Sequence, residues 1–287
     1  MLHTSSRRLG AAVAATALSA GALVTLATPA ANAGVATNAY NCVNALAGTV
    51  PVGVATDVTL PPTAPAGFDV PADLLDVKNK VTIPNQAKAL FTQFGVTNLD
   101  MTDYKLTLGD GRVGAGSLVV APTAFVDNGN GTSTADINGK NAAFTTPAAD
   151  TYVVSAPVDF KLIATLANGS TAEFVCTNAA APTSVGSVTV QANPATVTAK
   201  TKATIKSGKD AKVKVKVTAD NEDPTGKVVA MIGKKKVGKG TLADNGKVTI
   251  TVKAKKLKAG KNKIKLAYAG DGFTAAGKAK VVVKVTK

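Results

Sequence analysis

The sequence predicts an all-β protein whose mature chain folds as two β-sandwich domains. Short runs in which β-branched or aromatic residues alternate with polar ones recur along the chain, and turn-forming dipeptides such as Asn-Gly separate them. Charge also divides the chain. Residues 34–183 contain seven basic and twelve acidic side chains, whereas residues 184–287 contain twenty-four lysines, no arginine and six acidic side chains. So abrupt a change in charge indicates a domain boundary.

The N-terminal residues have the order of a secretory signal peptide. Two arginines precede an uncharged, mostly apolar run at 9–26, and an Ala-Asn-Ala cleavage site precedes Gly34. Residues 1–33 are therefore predicted to be removed, with a membrane anchor as the alternative. No later stretch is apolar over the ~20 residues that a membrane-spanning helix requires. We expect a secreted, extracellular protein that is either released or held non-covalently at the cell envelope.

Residues 34–180 are predicted to form an acidic β-sandwich closed by a disulfide. A short helix is expected at 86–94, where four apolar residues share one face and a glycine follows. Cys42 and Cys176 are the only cysteines, and in an exported protein such a pair predicts a disulfide, here between the first and last strands. Two buried free thiols are the alternative. The predicted strands lie at 52–60, 104–108, 152–155, 159–166 and 172–176.

A linker is predicted at 181–187, where small residues and a proline follow the second cysteine. Beyond it, lysine alternates with valine, isoleucine or leucine, most clearly at 212–217, 263–268 and 278–285. Strands recur about every ten residues, with turn residues between them, which is typical of a β-sandwich. Residues 188–287 are therefore predicted to form the second, lysine-rich domain.

Several motifs in this second domain resemble those of a known family. They are Pro-Thr-Gly-Lys-Val at 224–228, Gly-Lys-Gly-Thr-Leu at 238–242, Leu-Lys-Ala-Gly at 257–260 and, most specifically, Tyr-Ala-Gly-Asp at 268–271. With the closing alternation of valines, they make this half similar to the bacterial Ig-like repeat domain of group 3. The resemblance implies an Ig-like sandwich that serves as a spacer or adhesion module, with no catalytic residues. The first half resembles uncharacterised secreted domains with terminal cysteines, which imply no function.

The composition excludes several kinds of catalytic site. The only histidine, His3, lies in the predicted signal peptide, so the mature chain lacks the residue needed for Ser-His-Asp or Cys-His catalysis and for histidine-ligated metals. Both cysteines are assigned to the disulfide, which leaves no thiolate for catalysis or metal binding. We therefore predict no catalytic residue, no metal site and no cofactor, and hence a protein that is not an enzyme.

Three segments have some features of functional sites, and each has a simpler interpretation. Residues 127–136 resemble a calcium-binding loop but carry glycine at two ligand positions, so a hairpin turn is favoured. The glycine-rich stretch 109–116 precedes a strand rather than the helix that a phosphate site requires. The only glutamates, Glu173 and Glu222, lie on opposite sides of the predicted linker, which disfavours a carboxylate pair for glycoside hydrolysis.

The lysines of the second domain predict a partner. Twenty-four lysines without arginine create a strong positive field, so anionic envelope polymers or extracellular polyanions are the expected partners. The absence of arginine argues against sequence-specific nucleic-acid recognition. The alternative is an inert spacer in a soluble secreted protein whose first domain takes an unknown ligand. If 263–268 and 278–285 pair as a hairpin, the predicted polyanion-binding residues are Lys263, Lys265, Lys278, Lys280 and Lys284.

Overall fold

The computed structural model describes residues 35–45, 47–109, 111–116 and 118–287. The predicted signal peptide lies outside these residues. Strands dominate the described chain, and a single α-helix accompanies them there. The prediction of an all-β protein is confirmed.

Sixteen strands and one helix form the first domain within the described residues. The helix, α1 (Asn85–Gln93), agrees with the predicted one to within a residue. All five predicted strands are found, the one at 159–166 with the predicted bounds and the other four with shifted bounds. The strands are β1 (Ala36–Asn44), β2 (Gly48–Val58), β3 (Thr63–Pro65), β4 (Asp69–Val70), β5 (Asp76–Pro84), β6 (Val96–Thr102), β7 (Lys105–Leu108), β8 (Gly111–Gly114), β9 (Val119–Val120), β10 (Val126–Asp127), β11 (Thr132–Lys140), β12 (Phe144–Thr145), β13 (Asp150–Ser155), β14 (Asp159–Leu166), β15 (Thr171–Asn178) and β16 (Ser184–Gln191).

Two sheets enclose the core of this domain. The larger has the order β10-β11-β5-β2-β1-β15-β14-β6-β9, and the smaller has the order β3-β16-β13-β7-β8. Alternate residues of each strand point inward, because successive side chains of a strand leave on opposite faces. Tyr40 and Tyr104 each meet Phe160 edge to face in the resulting core. Such ring pairs contribute about 0.5–1.5 kcal/mol beyond the area they bury.

The predicted disulfide joins two neighbouring strands of the larger sheet. Cys42 on β1 lies directly opposite Cys176 on β15 in an antiparallel pair, and the two sulfurs are bonded. Both residues are fully buried. The bond therefore ties the first strand to the fifteenth, while β16 continues the domain beyond it. The prediction of a disulfide is confirmed.

The second domain is a smaller sandwich of two sheets. Its strands are β17 (Thr196–Thr201), β18 (Thr204–Lys206), β19 (Ala211–Thr218), β20 (Lys227–Ile232), β21 (Lys235–Thr241), β22 (Lys247–Val252), β23 (Gly260–Tyr268) and β24 (Gly277–Thr286). One sheet has the order β17-β19-β22 and the other has the order β18-β24-β23-β20-β21. Valine and isoleucine side chains from both sheets fill a separate core. Alternation in the sequence thus places every second residue of β19, and Ile264, Leu266 and Tyr268 of β23, in this core.

The predicted linker at 181–187 overlaps a strand of the first domain. β16 pairs with β13 on one side and, in parallel, with β3 on the other. Its pairing with β13 contains a β-bulge near Ser184. Val185, Val188 and Val190 are buried, with Val188 and Val190 following the period of two beyond the bulge. The smaller sheet of the first domain therefore continues to Gln191.

The two domains contact one another around Asn193, which is 4% exposed. Its side-chain amide donates to the backbone carbonyls of Ala66 in the first domain, at 2.7 Å, and of Phe273 in the second, at 3.2 Å. Its side-chain oxygen accepts a hydrogen bond from the amide of Asn221. A further backbone bond runs from the N–H of Ala149 to the carbonyl of Gly272. Polar groups of both domains thus satisfy one another at this contact.

Candidate polyanion-binding surface

The hairpin that the lysine prediction requires is present. β23 pairs with β24 in antiparallel register, with Lys265 directly opposite Lys280 and Ala267 opposite Lys278. Ile264, Leu266 and Val283 point into the core on the other side and are almost fully buried. The structure therefore exposes the five predicted residues on one face of this hairpin: Lys263, Lys265, Lys278, Lys280 and Lys284.

Neighbouring strands extend this face beyond the predicted residues. Lys261 lies directly opposite Lys284, and β20, β21 and β18 complete the same sheet. Directly paired residues share a face in a sheet, so the register identifies the outward positions. We call the resulting ten residues the lysine face: Lys206, Lys227, Lys236, Lys239, Lys261, Lys263, Lys265, Lys278, Lys280 and Lys284.

No acidic residue interrupts the lysine face. The five strands that carry it contain no aspartate or glutamate, and within the described residues none of its ten lysines forms an ion pair. Lys265 and Lys280, as directly opposed residues, have Cβ atoms roughly 4.5–5.5 Å apart. Like charges at this separation destabilise the sheet mildly. The face therefore concentrates positive charge that no neighbouring side chain neutralises.

A second, smaller group of lysines lies on the opposite sheet. Lys200 is opposite Lys214 in the pairing of β17 with β19, and Lys216 is opposite Lys247 in the pairing of β19 with β22. They line an open groove of about 620 Å³ together with Thr198 and Thr249. The alternation at 212–217 predicted outward lysines on β19, but only the pairing of strands shows that other lysines stand beside them.

The Tyr-Ala-Gly-Asp motif forms a corner of the second domain. The carboxylate of Asp271 accepts hydrogen bonds from the backbone N–H and the hydroxyl of Thr225, from the Tyr268 hydroxyl, and from the backbone N–H groups of Phe273 and Thr274, at 2.7–3.0 Å. Partial burial raises the pKa of Asp271, but the hydrogen bonds from Thr225, Phe273 and Thr274 outweigh it and hold the pKa at about 2. This motif therefore has a structural role.

The Tyr268 hydroxyl in the same corner is also perturbed. Burial, followed by the hydrogen bond to Asp271 and the charge of that carboxylate, raises the pKa of Tyr268 to about 12. The hydroxyl therefore stays protonated and keeps donating to Asp271 at any physiological pH. This contact joins the end of β23 to the loop that precedes β24.

The other three candidate sites named from the sequence are parts of ordinary hairpins and strands, or lie in different domains. Residues 127–136 span the β10–β11 hairpin, in which the Asn128 N–H donates to the Thr132 carbonyl. Residues 109–116 include β8, which pairs with β7. Glu173 pairs with Lys161 at 3.1 Å on the larger sheet of the first domain, whereas Glu222 lies in the second domain. Among the described residues there is no cluster of His, Cys, Asp or Glu suited to a metal ion.

The fold and the corner at Asp271 define a protein built from a β-sandwich domain followed by an Ig-like domain. Residues 196–286 match the bacterial Ig-like domain (group 3), which confirms the resemblance of the second half. Residues 39–186, about half of the chain, match a family of unknown function, DUF6801. The chain belongs to this family.

Other comparisons are more distant. No curated protein matches the chain. A crystal structure of a proposed membrane-anchored protein from Corynebacterium diphtheriae is similar over 88% of this chain, with 15% identity and a TM-score of 0.39. The chain spans 59% of the length of that protein. Within the part of the chain that the structure describes, no helix is long and apolar enough to cross a membrane.

Proposed function

We propose that this is a non-enzymatic structural or adhesive protein of the cell envelope, and that its Ig-like domain binds anionic surface polymers through the lysine face. The observation that carries this proposal is a single sheet face with ten exposed lysines and no acidic residue. A polymer with regularly spaced negative charges fits such a face without any specific pocket. Lysine binds anions as a point charge, so the expected recognition depends on charge rather than on the sequence of the polymer.

The electrostatics of the free protein favour such a partner. Lys265 and Lys280 oppose one another, as do Lys261 and Lys284, and both pairs repel at close range. A bound polyanion removes this repulsion, so it stabilises the folded domain as well as attaching it. The first domain carries net negative charge in the sequence. It is therefore expected to point away from the polymer, which leaves its own surface free for other contacts.

The disulfide supports the proposed location. Cys42 and Cys176 are bonded, and structural disulfides persist in oxidising environments such as the bacterial cell surface. The presence of an Ig-like domain also supports a role as a spacer or adhesion module. The competing hypothesis is a soluble secreted binding protein in which the same domain is an inert spacer. The two differ in whether the second domain has measurable affinity for polyanions.

The test compares two sets of five Lys→Gln substitutions in the full mature chain. The first set changes Lys263, Lys265, Lys278, Lys280 and Lys284 on the lysine face. The matched control changes five lysines of the opposite sheet and removes the same charge: Lys200, Lys212, Lys214, Lys216 and Lys247. Binding to poly(glycerol phosphate), and to duplex DNA as a probe of known charge spacing, is measured by fluorescence anisotropy over a series of salt concentrations.

The expected result is a loss of binding in the first set that the control does not share. For DNA, log K should fall linearly with log salt, and each contact removed should flatten the slope by about 0.9. Five contacts would reduce it by roughly 4 to 5. If the control set loses as much as the first, the lysine face is not the binding surface. If the unsubstituted protein binds neither polymer at low salt, the inert spacer is the correct hypothesis.

A further inference from the structure

The first domain contains a partly enclosed cavity that is independent of the lysine face. Its volume is about 140 Å³, and it lies between the two sheets. Val58 and Val77 line it from the larger sheet, and Leu106, Val154 and Val188 line it from the smaller. Apart from three polar residues, the lining is formed by aliphatic side chains, prolines, a glycine and two phenylalanines.

Two of the three polar side chains at the cavity, Asn141 and Thr146, are already engaged by the protein. The side-chain oxygen of Asn141 accepts from the Leu75 N–H at 2.6 Å, and its amide donates to two backbone carbonyls. The Thr146 hydroxyl donates to the Pro65 carbonyl and accepts from the Phe68 N–H. The third polar residue, Thr63, is exposed at the start of β3. Asn141 and Thr146 therefore offer a group inside the cavity no free hydrogen-bonding partner, which favours a hydrocarbon there.

The size of the cavity and its exposed edge limit how much of a ligand can be buried. An apolar protein cavity of about 150 Å³ holds benzene, so this one accommodates about six carbon atoms. Phe68 and Leu74 belong to the lining and are themselves 38% and 56% exposed, so the part of the lining that they form is in contact with solvent. Apolar surface left exposed at the rim of a pocket is typical of a ligand-binding site. A longer molecule can thus insert one end and leave its other end in water.

The charge beside this exposed edge restricts the outer end of the ligand. Every charged residue in the stretch 68–76 is an aspartate: Asp69, Asp73 and Asp76. All three are exposed and directly adjoin residues that line the cavity. Lys140 pairs with Asp76, which neutralises one of the three. Lys78 also acts on Asp76, and Lys140 on Asp73, so these lysines offset part of the negative charge. Asp69 and Asp73 remain the charged residues next to Phe68 and Leu74 in the chain, so an anionic headgroup there is disfavoured relative to an uncharged one.

We propose that this cavity binds the alkyl end of an uncharged amphiphile, with about six carbons buried between the sheets and the headgroup at the rim beside Phe68 and Leu74. The proposal concerns the first domain alone and does not depend on binding of polyanions by the second. It gives the family domain a ligand of defined chemistry. Affinity should come from burial of hydrocarbon, and discrimination should come from the aspartates at the rim.

The test measures methyl chemical shifts of leucine and valine in the full mature chain during titration with 1-hexanol and, in parallel, with hexanoate. Hexanol should shift the methyl groups of Leu60, Leu106 and Val154, while those of Val213 in the second domain stay unchanged. Hexanoate should bind at least about threefold more weakly at low ionic strength and approach hexanol as salt is added, because salt screens the aspartates. Equal binding of the two at low salt would overturn the assignment of an uncharged headgroup.

Variants locate the binding site. Val113→Phe fills the cavity from the edge strand β8 and should weaken hexanol binding about tenfold or more. Val96→Phe is the matched control, since Val96 is also a partly buried valine packed on the same core but lines a different groove. Ala64→Leu, which adds three carbons from β3, is a second filling variant should Val113→Phe fail to fold. No methyl shifts with hexanol, or shifts that survive the filling variants, would overturn the proposal.

Discussion

The first domain joins its strands with a buried disulfide and three edge-to-face ring contacts, whereas the second has neither feature among its described residues. The first is larger and contains a cavity, whereas ion pairs occur in both, such as Lys140 with Asp76 in the first and Lys253 with Asp210 in the second. The second is small and filled by valine and isoleucine, and its lysine face repels itself. One corner of it is held by the hydrogen bonds that converge on Asp271. Two sandwiches in one chain thus use different sources of stability, so they should respond to different perturbations.

The largest difference is expected from loss of the disulfide. Replacing both Cys42 and Cys176 by serine removes a cross-link that closes a loop of 134 residues. The chain-entropy model assigns such a loop about 5 kcal/mol of stabilisation. Calorimetry should show a large fall in the thermal midpoint of the first domain, with the second little changed. A reductant should do the same to the unsubstituted protein, and equal falls in both domains would show that they unfold as one unit.

Asp271→Ala should have the opposite selectivity. It removes the acceptor for five hydrogen bonds at the corner of the second domain. Hydrogen bonds to a charged group contribute about 1.5–3 kcal/mol each and are not additive, so a loss of about 2–4 kcal/mol is expected. Urea unfolding followed by hydrogen exchange would localise the loss. Asp244→Ala, at an exposed acid of the same domain, is the control and should change stability by less than about 0.5 kcal/mol.

Substitution of Asn193 tests how far the two domains are independent. Asn193→Ala leaves the buried carbonyl of Ala66 without its donor, which costs about 1–3 kcal/mol. If the contact couples the domains, their thermal transitions should lie closer together in the unsubstituted protein than in the variant. Asn221 has a φ of 67°, so glycine is the substitution that removes its 3.2 Å hydrogen bond without straining the backbone, and Asn221→Gly should have a smaller effect. Identical separation of the transitions in both variants and in the unsubstituted protein would indicate uncoupled domains.

Acid should destabilise the second domain through Asp271 by a smaller amount. The folded-state pKa of about 2 lies below the ordinary value of 3.8, so the unfolded state binds more protons between these values. The contribution of this carboxylate is therefore complete above about pH 4 and is lost as pH falls from 4 to 2. Asp271→Asn should flatten the pH dependence of the urea midpoint of the second domain in this window. In the first domain the pKa values of Asp76 and Asp127 are also lowered, but solvent screens these exposed groups.

Short-range pattern in the sequence was sufficient for several features. Strict alternation at 212–217 and 263–268 predicted which lysines face solvent. Successive side chains of a strand point to opposite sides, so when the apolar residues are buried, the lysines between them must be exposed. The presence of only two cysteines left a single possible disulfide. The helix α1 followed from the spacing of its apolar residues and the glycine after it. The absence of histidine from the predicted mature chain limited the chemistry available to it.

Only the tertiary structure shows which strands, and therefore which side chains, are neighbours. The alternation did not reveal that Lys261 meets Lys284 or that β20 and β21 enlarge the lysine face, because pairing of strands joins segments tens of residues apart. The same reason applies to β16, whose small residues resemble a linker until pairing with β13 and β3 makes it a strand. The cavity, too, gathers side chains from Val58 to Val190, and no local pattern records a space that distant residues enclose.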